Sequence, residues 1–309
     1  MTVLDTIGRT TLLPLRRLVP PGSAQILLKL ECENPSGSMK DRMALAMVEA
    51  AEADGRLKPG GSVVEYTGGS TGVSLSLVCA AKRLSLQIVT SDAFSLEKRL
   101  HMAALGARLT LIPSPTGGTT KALTLEMIET AKQLASAPGS YLTDQFNNRD
   151  VLPAYERMAD EIWEQAEGKV SAFVQMVGTC GSLRGVSTRL RVHNESVYVV
   201  AVEPAESPLL SGGPGGSHRI EGTGPGFVMP LWSDGLADEI QTVSSDEAMA
   251  MARRLAREEG IFAGTSTGGN VTVALRLAAR LGPDHTVVTP AVDSGVKYLS
   301  TPLYGAATG

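Results

Sequence analysis

Short apolar runs rich in β-branched residues recur along the chain at Gln25–Leu30, Ser62–Glu65, Leu86–Thr90, Arg108–Ile112, Ala172–Val177, Val197–Val202 and Thr286–Thr289. Longer stretches with apolar residues at helical spacing separate them, among them Met43–Ala53, Thr71–Leu84, Thr119–Leu134, Tyr155–Ala166, Glu247–Glu259 and Val271–Leu281. The first class reads as buried strands and the second as helices packed on them. Strands alternating with helices predict parallel sheets with helical crossovers, an α/β fold. Ser244-Ser245-Asp246-Glu247 has the form of a capping box that starts one helix. One stretch breaks the alternation: Glu203–Leu236 is long and glycine-rich, and ends in Phe227, Val228, Met229, Leu231 and Trp232. A loop of that length in a compact chain reads as functional, and its apolar end predicts that it folds back onto the body.

Composition narrows the function classes. The chain has 309 residues, 43% of them hydrophobic and 19% charged, which excludes wholesale disorder and suffices for two packed units. Lys plus Arg number 28 against 32 Asp plus Glu, a net charge of −4, so no basic excess exists to neutralise a nucleic acid backbone. No apolar run approaches the length of a membrane helix, and the start, MTVLDTIGRTTLL, lacks the pattern of a signal peptide. Cys32, Cys79 and Cys180 are odd in number and scattered, so a reducing cytoplasm is expected rather than a disulfide framework. His101, His193, His218 and His285 share no ligand spacing, and no metal is expected.

The chemistry concentrates in four turns, each directly after a predicted strand and before a helical stretch. They are Asn34-Pro-Ser-Gly-Ser-Met-Lys40-Asp-Arg42, Thr67-Gly-Gly-Ser-Thr-Gly72, Gly178-Thr-Cys-Gly-Ser182 and Gly264-Thr-Ser-Thr-Gly268. In a parallel sheet such turns gather on one edge, where helix N-termini offer free N–H groups and a favourable dipole to anions. Any α/β protein needs glycine at some corners, but four such turns, one carrying a lysine, point to a phosphorylated cofactor together with a carboxylate substrate. Neither G-x-x-x-x-G-K-[ST] nor a dinucleotide G-x-G-x-x-G with its distal acid is present, which demotes an NTPase and a nicotinamide dehydrogenase.

Lys40 has two readings. A lysine in a first helical turn is ordinarily a solvated charge. Here small residues precede it and an apolar helix follows, so its stem can turn inward, where loss of water depresses the amine pKa and makes it a nucleophile for aldehydes. The other candidates have plainer readings. Cys32, Cys79, Met43, Met47, Met102 and Met158 are expected in the core, Trp163 and Trp232 as anchors, and His218 as a loop residue. Asp41 and Arg42 are expected to form a helix-terminal ion pair or to meet the dipole.

At these residues the sequence resembles the fold-type II pyridoxal-phosphate β-family, in its cysteine synthase (O-acetylserine sulfhydrylase) branch. The likeness runs from Ile7-Gly8-Arg9-Thr10 through Lys29-Leu30-Glu31 and the Lys40 turn to Gly295-Val-Lys-Tyr-Leu-Ser-Thr301. It is most specific at Ser207-Pro-Leu-Leu-Ser-Gly-Gly213, His218-Arg-Ile-Glu-Gly222 and Gly224-Pro-Gly-Phe227, similar to a loop that covers the acetyl side of the substrate. The resemblance implies a tryptophan synthase β-like fold of two three-layer αβα domains with mostly parallel sheets. Residues 1–35 and 143–309 would form the large domain and 36–142 a small mobile one.

It also implies roles. Lys40 would bind the cofactor covalently and move the Cα proton. Gly178, Thr179, Cys180, Gly181 and Ser182 would cradle its phosphate, Ser266 would meet its pyridine nitrogen, and Ser70 its phenolic oxygen. Thr67, Gly68, Ser70, Thr71 and Gln145 would hold the substrate carboxylate, with Gly222 and Thr223 in the loop above. The implied reaction is β-replacement on an O-activated serine, O-acetylserine first, by sulfide or another small nucleophile. A cytoplasmic homodimer with a serine acetyltransferase as possible partner follows from the same resemblance. With the chain ending at Gly309, no appended regulatory domain is expected. The chain departs from the family at Ser70, where asparagine is usual, at Cys180, where glycine is usual, and at Arg9 and Thr11, which replace Asn and Pro. These departures bear on the substrate more than on the cofactor. β-Elimination of the dehydratase kind, or a partner-binding paralogue with little activity, are the competing readings.

Overall fold

A computed structural model describes residues 1–115, 117 and 120–305. Two sheets organise the molecule. The larger contains β1 (Leu12–Pro14), β2 (Gln25–Lys29), β7 (Ala172–Met176), β8 (Tyr198–Pro204), β9 (Glu239–Val243) and β10 (Thr286–Pro290), in the order β1-β2-β10-β7-β8-β9. The smaller contains β3 (Ser62–Tyr66), β4 (Ser85–Ser91), β5 (Arg108–Ile112) and β6 (Ser140–Leu142), in the order β5-β4-β3-β6. Every pairing is parallel except that of β1 with β2.

The helices are α1 (Lys40–Ala53), α2 (Ser70–Lys82), α3 (Leu96–Ala104), α4 (Lys121–Ala135), α5 (Leu152–Gln165), α6 (Gly181–His193), α7 (Ser245–Arg254) and α8 (Thr265–Leu281). Side chains alternate across a strand, and the core records it. In the large sheet Leu27, Phe173, Val199 and Ala201 face α5 and α6, whereas Ile26, Leu28, Val174, Val200 and Val202 face α7 and α8. In the small sheet Val63 and Ile88 face the side of α1 and α2, and Val64, Tyr66 and Val89 pack with Leu123, Met127 and Ala131 of α4. Each sheet is therefore the middle of three layers, as the resemblance implies. Met43, Met47, Met102 and Met158 are fully buried. No helix among the described residues is long and apolar enough to cross a membrane.

Local chemistry explains most boundaries. The Ser244 hydroxyl accepts from the N–H of Glu247, whose carboxylate accepts from the N–H of Ser244 at 2.9 Å, closing the expected capping box on α7. That helix gives way at Leu255 to a five-residue π turn rather than running evenly to Glu259. α4 is capped by Thr120, and the expected start at Thr119 lies outside the described residues. Of the two readings for Asp41 and Arg42, the ion pair at the start of α1 forms, but Arg42 makes it with Glu31 and Glu161 and not with Asp41. Asp41 accepts from the Ser36 N–H at 2.7 Å and from the Ser36 hydroxyl, closing the turn before α1. Arg42 reaches back to Glu31 and Glu161.

Glu65 in β3 is fully buried beneath the Thr67 turn. Burial pushes its carboxyl up to about 8, opposed by hydrogen bonds from the Thr143 hydroxyl and the N–H groups of Tyr66 and Gln145. The folded protein thus keeps a proton that the unfolded chain, at 4.5, releases, so stability should fall as pH rises from about 4.5 to about 8. Glu65→Gln is expected to flatten that slope, read by urea unfolding at about pH 6 and about pH 9. Equal slopes in the two proteins would refute it.

Candidate active site

The four turns singled out in the sequence open into one cleft. Its walls include Lys40, the run Thr67–Thr71, Gly178, Thr179, Ser182 and Ser266, with Gln145 from one side and His218, Gly222 and Thr223 from the loop above. Cys180 and Gly181 are not on that wall: the Cys180 side chain is buried in the core, and Gly181 packs against Val151.

Helix starts dominate the cleft. The residues before α1, α2, α6 and α8, namely Met39, Gly69, Cys180 and Gly264, offer no side-chain cap, in contrast with Thr120 and Ser244 elsewhere. Turn bonds from Val73 to Gly69, Arg184 to Cys180 and Gly268 to Gly264 come first, so the N–H groups of Ser70–Gly72, Gly181–Leu183 and Thr265–Thr267 precede any intrahelical acceptor. Ser70 and Thr71, Ser182 and Ser266 of these three sets line the cleft, so three helix N-termini meet in one site that suits a ligand with more than one anionic group.

Lys40 begins α1 and points into this cleft. Loss of water lowers its amine to about 8, with the Asp293 carboxylate opposing the shift and Lys98 adding to it. Thr71 donates to Gln145 Oε1 at 2.8 Å, and Gln145 Nε2 donates to the Tyr66 carbonyl at 2.7 Å, which fixes the turn against β3. Gly178 has a steric reason: a Cβ there would collide with the Gly222 carbonyl of the overlying loop. That loop folds back as expected, with Ile220, Met229 and Leu231 buried and Phe227 edge-on to Phe146 at 5.5 Å, although Val228 stays exposed. His218 sits on the wall, but its Nδ1 accepts from the Ile220 N–H and its Nε2 meets the Gly224 carbonyl at 3.0 Å, so it staples the loop.

Sequence reading missed Asp293, Tyr298, Lys98, Glu221 and Phe94, all on the cleft wall. Ser70 donates to Asp293 at 2.8 Å, and Lys98 Nζ sits 2.6 Å from Glu221 and 4.2 Å above the Tyr298 ring. A Cβ on Gly68 would strike the Phe94 ring, so Phe94 occupies the space a side chain at 68 would need.

The Pyridoxal-phosphate dependent enzyme model matches residues 3–293 of this chain. The chain belongs to that family. Its cofactor is pyridoxal phosphate. Members similar to it include the cysteine synthase of Staphylococcus aureus (strain Mu50), 41% identical over 98% of this chain and 96% of the relative. Among solved structures, an O-ureido-L-serine synthase superposes with a TM-score of 0.93 at 37% identity, covering 100% of this chain and 96% of that one. The cysteine synthase of Entamoeba histolytica superposes at 0.91 with 34% identity, covering 98% and 90%.

The residues fit the family's cofactor on their own chemistry. A phosphate finds the free N–H groups of α6 and the Thr179 and Ser182 hydroxyls; an aldehyde finds the Lys40 amine. Gln175 Nε2 donates to the Ser182 oxygen, which leaves the Ser182 hydroxyl proton free to be given to an anion in the cleft. Cys180 adopts φ +69°, a left-handed conformation that glycine takes more easily, at the start of the same helix. Its thiol is 2% exposed and pushed up by burial to about 12, which leaves no thiolate for redox or nucleophilic chemistry. Cys180→Ala is therefore expected to keep turnover within about threefold of the parent, since a surrounding packing change alone separates them. A loss of hundredfold or more would restore a chemical role.

Proposed function

We propose that this enzyme replaces the β-substituent of an O-activated L-serine, O-acetylserine foremost, with sulfide or a related small nucleophile. The product is L-cysteine or a β-substituted alanine. The observation that carries the reading is the convergence of Lys40 with three uncapped helix starts in one cleft beneath the Ser207–Phe227 loop.

When bound, pyridoxal phosphate supplies the electron sink for cleavage at Cα. The chain's residues do the rest. Lys40, its amine lowered to about 8 by burial, is free base in useful proportion near neutrality; it would hold the cofactor's aldehyde and is placed to take and return the Cα proton. The N–H groups at the start of α6, with Gly178, Thr179 and Ser182, would hold the phosphate. Ser266, a buried neutral hydroxyl at the start of α8, would meet the ring nitrogen without the charge a carboxylate brings, which favours prompt loss of a β-substituent. Thr67, Gly68, Ser70 (through its backbone N–H, its hydroxyl being given to Asp293) and Thr71, braced by Gln145, take the substrate carboxylate, while Gly222 and Thr223 face its leaving group.

Residues 36–142 act as the small lobe that closes on the substrate and excludes water. Contacts of Ser70 with Asp293, Lys98 with Glu221 and Glu97 with Ser300 join that lobe to the rest. The resemblance further assigns a cytoplasmic homodimer and a serine acetyltransferase partner. Gel filtration with and without that acetyltransferase tests the assembly.

The function test follows the visible absorbance of the cofactor-loaded enzyme through additions of O-acetylserine and then sulfide, with product analysis. A band that changes with O-acetylserine and returns with sulfide as cysteine forms supports β-replacement. Pyruvate formed without sulfide would instead establish β-elimination. A band indifferent to O-acetylserine would overturn the substrate and leave the cofactor assignment standing.

A further inference from the structure

Asp293 stands at the centre of the cleft, delivered there by a backbone clip. The Met39 N–H donates to the Val292 carbonyl at 2.9 Å, the Ser294 N–H to the Gly37 carbonyl at 2.9 Å, and Ser38 pairs with Asp293 as an isolated antiparallel bridge. Backbone pairing thus holds the segment that ends in Lys40 against the segment that carries Asp293, although 253 residues separate the two side chains in sequence.

The Asp293 carboxylate is 3% exposed. Its Oδ2 accepts from the Ser70 hydroxyl at 2.8 Å and from the Tyr298 hydroxyl at 2.8 Å. Its Oδ1 is buried and makes no hydrogen bond among the described residues. A serine hydroxyl has one proton to give. With that proton committed to Asp293, Ser70 presents only lone pairs to the cleft. The spare Oδ1 is packed over Gly264, so the group this pair offers to an amine in the cleft is the Ser70 oxygen, backed by the charge of Asp293.

We propose that Asp293 is a positioning residue for the chemistry at Lys40: it turns Ser70 into an acceptor for an incoming amine and supplies the fixed negative charge opposite the ammonium in the cleft. This rests on the reading that Lys40 carries the cofactor. The titratable groups that face Asp293 are Lys40 from α1, Lys297 and Tyr298 from the turn after β10, Tyr304 beyond it and the Cys32 thiol before α1, while Lys98, paired with Glu221, and Asp41 act on Lys40 or Lys297 from further out. Among them Asp293 alone is the negative charge that raises Lys40 against its burial. Lys297, buried with no hydrogen-bond partner among the described residues, is likewise lowered to about 8 by burial, and Asp293 is first among the charges opposing that. Removing the Asp293 charge must lower both amines further.

The test uses three variants of the full chain: Asp293→Asn, which keeps an acceptor for Ser70 and Tyr298 but no charge, Asp293→Ala, and Ser70→Ala. In protein freed of cofactor, the pH dependence of Lys40 acetylation is followed by peptide mass spectrometry. The midpoint is expected near 8 in the parent and about one pH unit lower in Asp293→Asn, as loss of a neighbouring charge requires. In the loaded enzyme, Asp293→Ala and Ser70→Ala are each expected to raise KM for the amino-acid substrate by about tenfold with a smaller change in kcat, and the double variant to be no worse than Asp293→Ala alone. A folded Asp293→Asn with the parental midpoint overturns the charge role, and additive effects of the two alanine variants overturn the Ser70 role. Should Asp293→Ala fail to fold, the Asn variant still decides the first, and Asp293→Leu, which keeps bulk but offers no acceptor, replaces it in the cycle with Ser70→Ala that decides the second. If the parent attaches its cofactor without Lys40, the underlying reading fails instead, and the acetylation midpoints remain interpretable by themselves.

Discussion

Lys40→Ala is expected to fold and to lose at least about a thousandfold in turnover of any activated serine, the upper part of the range for a group that both attaches the reactant and moves its proton. Two amines line the cleft among the described residues, Lys40 and Lys98. Lys98 cannot substitute, because it is tied to Glu221 at 2.6 Å and packed on the Tyr298 ring. Stability should not suffer. An amine whose pKa falls from 10.5 to about 8 on folding is one the fold prefers uncharged, so at neutral pH its ammonium is a burden that alanine removes. The sign can be checked directly: the stability contributed by Lys40 should improve as pH rises through 8 toward 10.5, and the variant should melt no lower than the parent at pH 7. The measurement pairs steady-state rates with thermal melts and the visible spectrum of cofactor-loaded protein. A folded variant with parental rates would remove Lys40 from the mechanism.

The second large effect concerns the support behind Lys40. Arg42, one half-turn further along α1, is held in a fork by Glu31 at 2.7 and 2.8 Å and by Glu161 at 2.7 Å through two nitrogens. Lys29 adds a contact to Glu161 at 2.8 Å, and Glu31 is fully buried while also accepting from Thr10 and Asn34. The network joins the N-terminal segment, β2, α1 and α5. Arg42→Ala leaves Glu31 buried with its main counter-charge gone, and is expected to cost about 3–5 kcal/mol in urea unfolding, the range for breaking one side of a buried pair. Arg42 and Lys29 hold the Glu161 carboxyl down to about 2 against its burial. The stability this supplies is full above 4.5 and lost as pH falls through about 2, and the variant should give up that acid resistance. A cost below about 1 kcal/mol would mean the network is no stronger than a surface pair.

Much of this molecule could be read from nearby residues. Continuous apolar runs located β2, β3, β4, β7, β8 and β10, because strands buried on both faces need no polar alternation, and β5, an edge strand with no fully buried residue, was located by its β-rich run alone. The runs that escaped, Leu12–Pro14, Ser140–Leu142 and Glu239–Val243, are short or half-buried, and their pairing partners, not their own pattern, make them strands. Helix α3 was not singled out for a related reason, since its Leu96 and Leu100 lie exposed, and α6 was expected after the Gly178–Ser182 turn but not bounded, because it mixes Gly185 and polar residues with its buried face. The four turns were legible because glycine, hydroxyls and lysine at a strand-to-helix junction carry their chemistry locally.

What tertiary structure alone decided is which distant residues meet those turns. Asp41 and Arg42 are adjacent in sequence yet belong to two different networks, one within the Ser36 turn and one reaching Glu31 and Glu161. Ser70 and Asp293 lie 223 residues apart, and Lys98 and Glu221 lie 123 apart. Helical period, strand alternation and capping are set by neighbours within a few positions, so the sequence by itself determined the α/β alternation, the anion-binding turns and Lys40. The charge on Lys40, the direction of the Ser70 proton and the burial of Glu65 depend on the dielectric and partners that only the folded packing creates, and no local pattern encodes them.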